Sequence, residues 1–255
     1  MNHFDLTGRV AVVTGGNGGI GLGMAGGLAK AGASVAIVGR NAMKSEAAAE
    51  VLRQSGGAQV MTIDADLMQS GACLDAVDRA ANHFGRLDIL VNNAGIAIRK
   101  APEAYTEEEW HRVLDSNLTS AFLCSQAAYP HMKRIGGGKI ISIGSLMSQM
   151  GASFAVAYAA SKGGIVQMTR ALATAWGRDN IQINALLPGW IETDLTASAR
   201  REVPGLAEKV ETRTPAGRWG RPEAFEAITV MLSGPGSQYI TGTAIMVDGG
   251  YSIQA

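Results

Sequence analysis

Net charge is the first thing this sequence lacks. Lys plus Arg and Asp plus Glu number 22 each, so the formal charge is zero. Neither sign dominates, which argues against a nucleic acid or an anionic membrane as partner. Cysteine is nearly absent. Cys73 and Cys124 are far apart in the chain and have no metal-type spacing. They could close one disulfide, but no secretory context supports it. The histidines His3, His83, His111 and His131 are scattered and pair with no nucleophile or metal set, so no metal is expected. Long apolar runs are missing too: none approaches the roughly 18 residues of a membrane span. Met1 to Arg9 holds no apolar signal core. A cytoplasmic chain that neither crosses nor anchors to a membrane is expected. Repeats, low-complexity tracts and a compositional break between domains are also lacking.

Apolar residues and glycine are plentiful, at 47% and 33 residues of 255. That length suits one large α/β domain. Short apolar runs at Val10–Val13, Ser34–Val38, Val60–Ile63, Leu87–Val91, Ile140–Ile143, Ile181–Leu187 and Ala244–Val247 fit strands buried on both faces. Helical stretches lie between them, from the glycine loop to Ala31, from Ala42 to Gln54, from near Ser70, from Glu107 toward Arg134, and around Tyr158 to Trp176. Pro130 is expected to kink or end its helix. The alternation predicts an α/β fold: a single doubly wound parallel sheet of Rossmann type, with helices on both faces, forming one domain over residues 1–255. Trp190 to Thr214 is polar, lacks clear periodicity and contains Pro204-Gly205. It is expected to be a mobile substrate loop over 190–214.

The chemistry lies at the carboxyl ends of the expected strands. Thr14-Gly15-Gly16-Asn17-Gly18-Gly19-Ile20-Gly21 follows the first strand and opens a helix. There a helix N-terminus can take a phosphate; close helix packing is the plainer use of such glycines. The acidic residue that reads a ribose hydroxyl roughly 20 residues later is missing. Gly39 and Arg40 stand in its place. Arg40 suits a 2′-phosphate, or is a solvated residue at a helix start. After the third strand, Asp66 fits an adenine amino group, whereas Asp64 fits a cap or solvent. Asn92-Asn93-Ala94-Gly95 and Ser145 each end a strand. Asn117 inside a helix is unfavourable unless its amide finds partners, which marks it as a candidate working residue. Tyr158 and Lys162 share a helix face one turn apart, so the ammonium could lower the phenol's pKa and make it a proton donor and acceptor near neutral pH.

Taken together, Thr14-Gly15-x3-Gly19-x-Gly21, Asp66-Leu67, Asn92-Asn93-Ala94-Gly95, Asn117, Ser145, Tyr158-x3-Lys162 and Pro188-Gly189 resemble the compact single-domain branch of the short-chain dehydrogenase/reductase family over nearly the whole chain. The resemblance implies Tyr158 as general acid/base and Lys162 as the group that lowers its pKa and holds the nicotinamide ribose. It implies Ser145 as the holder of the substrate oxygen and Asn117 as the holder of a relay water. Gly15, Asn17, Gly19 and Ile20 would line the pyrophosphate, Asn93 the adenosine-side ribose and Asp66 the adenine, with Leu67 and Gly95 beside them. Pro188, Gly189, Ile191 and Thr193 would border the nicotinamide. NADP is favoured over NAD through Arg40, although NADP-using members often carry a basic residue where this chain has Gly18. A homo-oligomer, usually a tetramer, and a small-molecule substrate are further implications.

Arg213 to Gly220 looks like the matching segment of gluconate 5-dehydrogenases and 2-dehydro-3-deoxygluconate dehydrogenases, or is a turn before Pro222. Arginine suits a sugar-acid carboxylate, but the sequence places neither Arg213 nor Arg218 in a pocket. The expectation is hydride transfer between a nicotinamide and a secondary alcohol or ketone, on a polyol, sugar or sugar acid. Alternatives are a 3-oxoacyl-type ketone reductase, a sugar-nucleotide epimerase or dehydratase, and a non-catalytic dinucleotide-binding regulator. The last would be favoured by loss of Ser145, Tyr158 or Lys162, and all are present. Trp190 is the tryptophan expected near substrate.

Overall fold

The apolar runs form the strands β1 Val10–Thr14, β2 Ser34–Gly39, β3 Val60–Asp64, β4 Ile89–Asn92, β5 Gly138–Ile143, β6 Ile181–Pro188 and β7 Ala244–Val247. The computed structural model describes residues 3–56 and 59–254; Met1, Asn2, Gly57, Ala58 and Ala255 of the expected 1–255 domain lie outside the described residues. All strands run parallel in one sheet of order β3-β2-β1-β4-β5-β6-β7. The helices are α1 Gly19–Lys30, α2 Ala42–Gly56, α3 Ala72–Phe84, α4 Glu107–Leu114, α5 Ser120–Arg134, α6 Val156–Trp176, α7 Asp194–Glu202, α8 Leu206–Arg213 and α9 Glu226–Ser233.

Strand alternation explains why both faces are covered. Ala11 and Val13 of β1 join a core with Met24 and Leu28 of α1, Leu52 of α2 and Val230 of α9. Val10 and Val12 join the opposite core, with Val77 of α3, Ala128 of α5 and Leu172 of α6. A strand apolar on both sides needs a helix layer on each, and the parallel crossovers supply them. β1 lies between β2 and β4, so the chain reverses its direction of travel across the sheet there. Such a switch point leaves a crevice at the carboxyl ends of the strands.

The structure departs from sequence expectation in four places. Residues 190–214 are not a structureless loop: α7 and α8 occupy most of it, burying Ala199, Leu206 and Val210. Each helix is short, and the pair is split at Pro204-Gly205, where Gly205 has φ +71°. Two brief helices with a break cannot build a periodic signal. The fourth strand starts at Ile89, because Asp88 before it is turned into a polar network. The third helix starts at Ala72 after Gly71, with no side-chain cap. Pro130 neither ends nor splits α5, which continues to Arg134.

Candidate active site

The glycine loop folds as a cradle. Gly15 and Gly19 have φ of +62° and +52°, a region costly for other residues. A Cβ at Gly21 would collide with the Gly15 carbonyl and the Asn93 amide. No side chain caps α1, so its first-turn N–H groups are left for an anion. Asn93 anchors the loop: its Nδ2 donates to the carbonyls of Thr14 (3.0 Å) and Gly15 (3.1 Å). The Asn93 side chain is thus turned into the loop backbone. Asn17 Nδ2 donates to Ser45 Oγ at 3.0 Å, tying the loop to α2. A cavity of about 260 Å³ runs from Gly15, Asn17, Gly19 and Ile20 past Gly95 to Tyr158, Lys162, Pro188, Gly189, Ile191 and Thr193. These fit a dinucleotide: a backbone anion cradle at one end and a proton-carrying side chain at the other. Arg40, Asp66 and Leu67 border a smaller recess that also contains Gly95.

Lys44 is the residue that sequence reasoning missed here. Its Nζ lies 2.9 Å from where a Cβ at Gly18 would stand, and it pairs with Asp194 of α7 at 2.7 Å. The position that lacks a basic side chain therefore has an ammonium delivered from the first turn of α2. The available signal was Lys44 four residues beyond Arg40, in the first turn of the helix that follows it.

Asn117 sits in a π-turn, Asp115–Thr119, between α4 and α5. The extra residue in that turn re-aims a side chain that a regular helix would direct elsewhere. Asn117 is 1% exposed. Its Nδ2 donates to Ile96 O (2.9 Å) and Ser161 Oγ (3.0 Å), and its Oδ1 accepts from Ile96 N (2.8 Å). Lys162 is also buried and donates to Ile143 O at 2.7 Å. A Cβ at Gly95 would lie 2.9 Å from Asn117 Oδ1 and 3.6 Å from Lys162 Nζ, so these groups flank one glycine.

The electrostatics of Tyr158 differ from expectation. Lys162 Nζ is 5.6 Å from the centre of the phenol ring and is engaged with Ile143. Burial pushes the Tyr158 pKa up, against downward pulls from the Ser145 hydroxyl and the Arg99 charge. In the free chain the downward pull comes from Ser145 and Arg99. Burial lowers Lys162 itself to about 8. Arg99 was also missed by sequence reasoning; the basic pair Arg99-Lys100 just after Asn-Asn-Ala-Gly was its only mark. Ser145 starts a short turn: its Oγ accepts from Met147 N, and its own N–H donates to Ser148 Oγ. Ser148 in turn donates to Lys162 O at 2.7 Å, linking the serine turn to α6.

A second cavity, of about 420 Å³, shares Ser145, Tyr158, Pro188 and Gly189 with the first. Trp190, Arg99, Lys209 and Arg213 border it, as do Leu146, Met147, Met150 and Phe154. Arg213 is therefore in the pocket wall, whereas Arg218 is exposed and bonds Trp219 O. Among the described residues no His, Cys, Asp or Glu group could hold a metal, and no helix is long and apolar enough to cross a membrane.

An anion cradle at a switch point, joined to a Ser-Tyr-Lys cluster, defines a dinucleotide-dependent oxidoreductase. The family model described as enoyl-(acyl carrier protein) reductase matches residues 15–252. The chain belongs to the short-chain dehydrogenase/reductase family, whose enzymes act on CH–OH groups with a nicotinamide cofactor. It is 40% identical to the 2-dehydro-3-deoxy-D-gluconate 5-dehydrogenase of Escherichia coli, covering 98% of each chain. It is 37% identical to the gluconate 5-dehydrogenase of Gluconobacter oxydans over 99% of each. A crystal structure of a candidate 2-deoxy-D-gluconate 3-dehydrogenase from Agrobacterium tumefaciens with bound NADP superposes with a TM-score of 0.91 at 35% identity, covering 100% of both chains.

Proposed function

We propose that the protein is an NADP(H)-dependent dehydrogenase/reductase of sugar acids. The observation that carries this reading is that the dinucleotide groove and the second cavity meet at Ser145 and Tyr158. When bound, the nicotinamide accepts or supplies the hydride. In the oxidation direction the phenolate of Tyr158 takes the hydroxyl proton of the substrate; in reduction the phenol returns it to the carbonyl oxygen. Ser145 donates a hydrogen bond to that oxygen and fixes the carbon toward the cofactor. Lys162 has one of its three donors on Ile143 O; the others serve the cofactor's ribose. With a cofactor bound, its charge would add to the pull of Ser145 and Arg99 in favouring the phenolate. Asn117 holds the 96 backbone and a relay water beside Lys162.

Gly15, Asn17, Gly19 and Ile20 hold the pyrophosphate, and Asp66, Leu67, Asn93 and Gly95 the adenosine half. Pro188, Gly189, Ile191 and Thr193 border the nicotinamide. Arg40 and Lys44 together favour the 2′-phosphate of NADP over the free hydroxyl of NAD. α7 and α8 form the flap that closes over substrate, and the protein works as a homotetramer in the cytoplasm. The named sugar-acid activities of the relatives support the substrate class.

One wall of the substrate cavity favours a second reading. Leu146, Met147, Met150 and Phe154 give it an apolar side suited to the 3-oxoacyl alternative. A nicotinamide absorbance assay separates the two. Aldonates such as gluconate, their keto acids and short 3-oxoacyl thioesters are offered with NADP(H) and NAD(H) in parallel. Turnover of a sugar acid with NADP is expected. Turnover of thioesters alone would overturn the substrate class, and preference for NAD would overturn the roles of Arg40 and Lys44.

A further inference from the structure

Three cations border the substrate cavity, and they are not equivalent. Arg99 is already used: its Nη1 donates to Ser198 Oγ and Glu202 Oε2, both at 3.1 Å, and its Nη2 to Leu195 O at 3.0 Å. Glu202 also balances its charge. Lys209 is exposed on the outer turn of α8. Arg213, at the end of α8, is different. Among the described residues its one hydrogen bond runs from Nη2 to Gln254 O at 3.2 Å. Its Nε is buried with no acceptor, and no carboxylate of the described residues pairs with it. Its guanidinium lies 4.7 Å over the ring of Tyr251, a stack that fixes the plane of the donor fork.

A second donor in the same wall is orphaned. Trp190 Nε1 is buried without an acceptor, and the indole is held edge-on against Trp219 at 5.5 Å. Buried donors almost always find acceptors; Trp219 Nε1 behind the wall is unpaired as well, but Trp190 and Arg213 are the two whose side chains belong to residues bordering the cavity. A ligand rich in acceptor oxygens, with a negative charge at one end, supplies what they lack.

From this geometry we propose that Arg213 is the carboxylate anchor of the substrate site and that the Trp190 N–H takes a neighbouring substrate hydroxyl oxygen. This inference rests on the sugar-acid reading and extends it to the residues that select an acid over a neutral polyol. The planar, stacked guanidinium offers a bidentate face to a carboxylate, which an ammonium cannot.

The test compares gluconate with the neutral alditol sorbitol, for wild type and for Arg213→Leu and Arg213→Lys. NADPH binding by fluorescence and a thermal melt accompany each variant. Arg213→Leu is expected to lower the acid-to-alditol ratio of kcat/KM by about 10- to 100-fold, through KM and not kcat. Arg213→Lys should fall between, since it keeps the charge but loses the fork. Trp190→Phe, which keeps the ring and removes the N–H, should raise KM a few-fold for gluconate with NADPH affinity intact. A wild type that oxidises gluconate alongside an Arg213→Leu variant with an unchanged ratio overturns the anchor and leaves the sugar-acid reading standing. A parallel loss on acid and alditol also overturns it, because that pattern marks a packing role. A wild type active only on non-acidic substrates overturns the sugar-acid reading and the anchor with it.

Discussion

The two ends of the sheet treat buried polar groups in opposite ways. At the amino end, Asp88 is 2% exposed and fully engaged. Arg86 grips it with Nε and Nη2 at 2.8 and 2.7 Å, Arg9 reaches it at 2.8 Å, and the Val10 N–H donates at 3.0 Å. Burial alone would raise its pKa, but these donors outweigh burial and hold it below the usual carboxylate range. Lys139 at the same end rests on Ser237 Oγ. At the carboxyl end, Trp190 and Arg213 keep buried donors unpaired; burial shifts Tyr158 and Lys162 there, but it also lowers Lys139 to about 8 at the amino end, so the contrast lies in the unpaired donors and not in the pKa shifts. The saturated Asp88 ties strands together, whereas Trp190 and Arg213 combine an unpaired buried donor with a place in a cavity wall, and it is that combination that marks a site.

The sharpest way to break that contrast is Tyr158→Phe. Turnover should fall by about 10³-fold or more, while NADPH binding and melting temperature stay near wild type. Retained activity would sink the general-acid assignment. At the opposite end, Asp88→Ala should cost about 2 to 3 kcal/mol of stability in urea unfolding, because it removes the acceptor of four hydrogen bonds and leaves the buried Val10 N–H unpaired. Turnover of the folded fraction should persist. Because the folded pKa of Asp88 is depressed, its contribution is present above its unfolded value near about 4 and is lost as pH falls through the folded value. The stability gap between wild type and variant should therefore close in acid. A gap that persists there would mean that lost packing, not charge, causes the destabilisation.

Smaller effects sharpen the cofactor side. Lys44→Met should weaken NADPH by about 10-fold and NADH far less in fluorescence titration, as expected for one charged contact to a phosphate. Equal weakening of both would remove Lys44 from 2′-phosphate recognition and leave it as the partner of Asp194. The smallest change is a pH effect. Lys162 is lowered to about 8, so it carries its charge below that pH and loses it above. Cofactor affinity should decline a few-fold as pH rises through about 8, with no such inflection in Lys162→Met. A shared inflection in both proteins would assign it to another group.

Much of this was legible because its causes are local. The spacing of Tyr158 and Lys162 follows from helix geometry, and the strand-loop-helix at Gly15–Gly21 from the need for positive φ and close approach. Asn117 was marked because an interior helical amide needs partners, and Ile96 and Ser161 provide them. Lys44 and Arg99 were not marked, since their importance comes from elements far away in sequence: Lys44 meets Gly18 and Asp194, and Arg99 meets Ser198 and Glu202. The expectation that Lys162 tunes Tyr158 followed from shared helix face alone. It missed that Ile143 O holds the ammonium in the free chain.

The fold, the nicotinamide class of cofactor and the placing of Tyr158 and Lys162 on one helix face could all be read from the residues alone. Each rests on short-range patterns: strand alternation, glycine conformations and one helical turn. Three-dimensional packing was needed to show that α7 and α8 occupy most of 190–214, that an ammonium stands over Gly18, and that Arg213, not Arg218, borders the second cavity. Those outcomes depend on which distant segments share a wall. That is set by packing two helix layers against one sheet, and no local pattern encodes it.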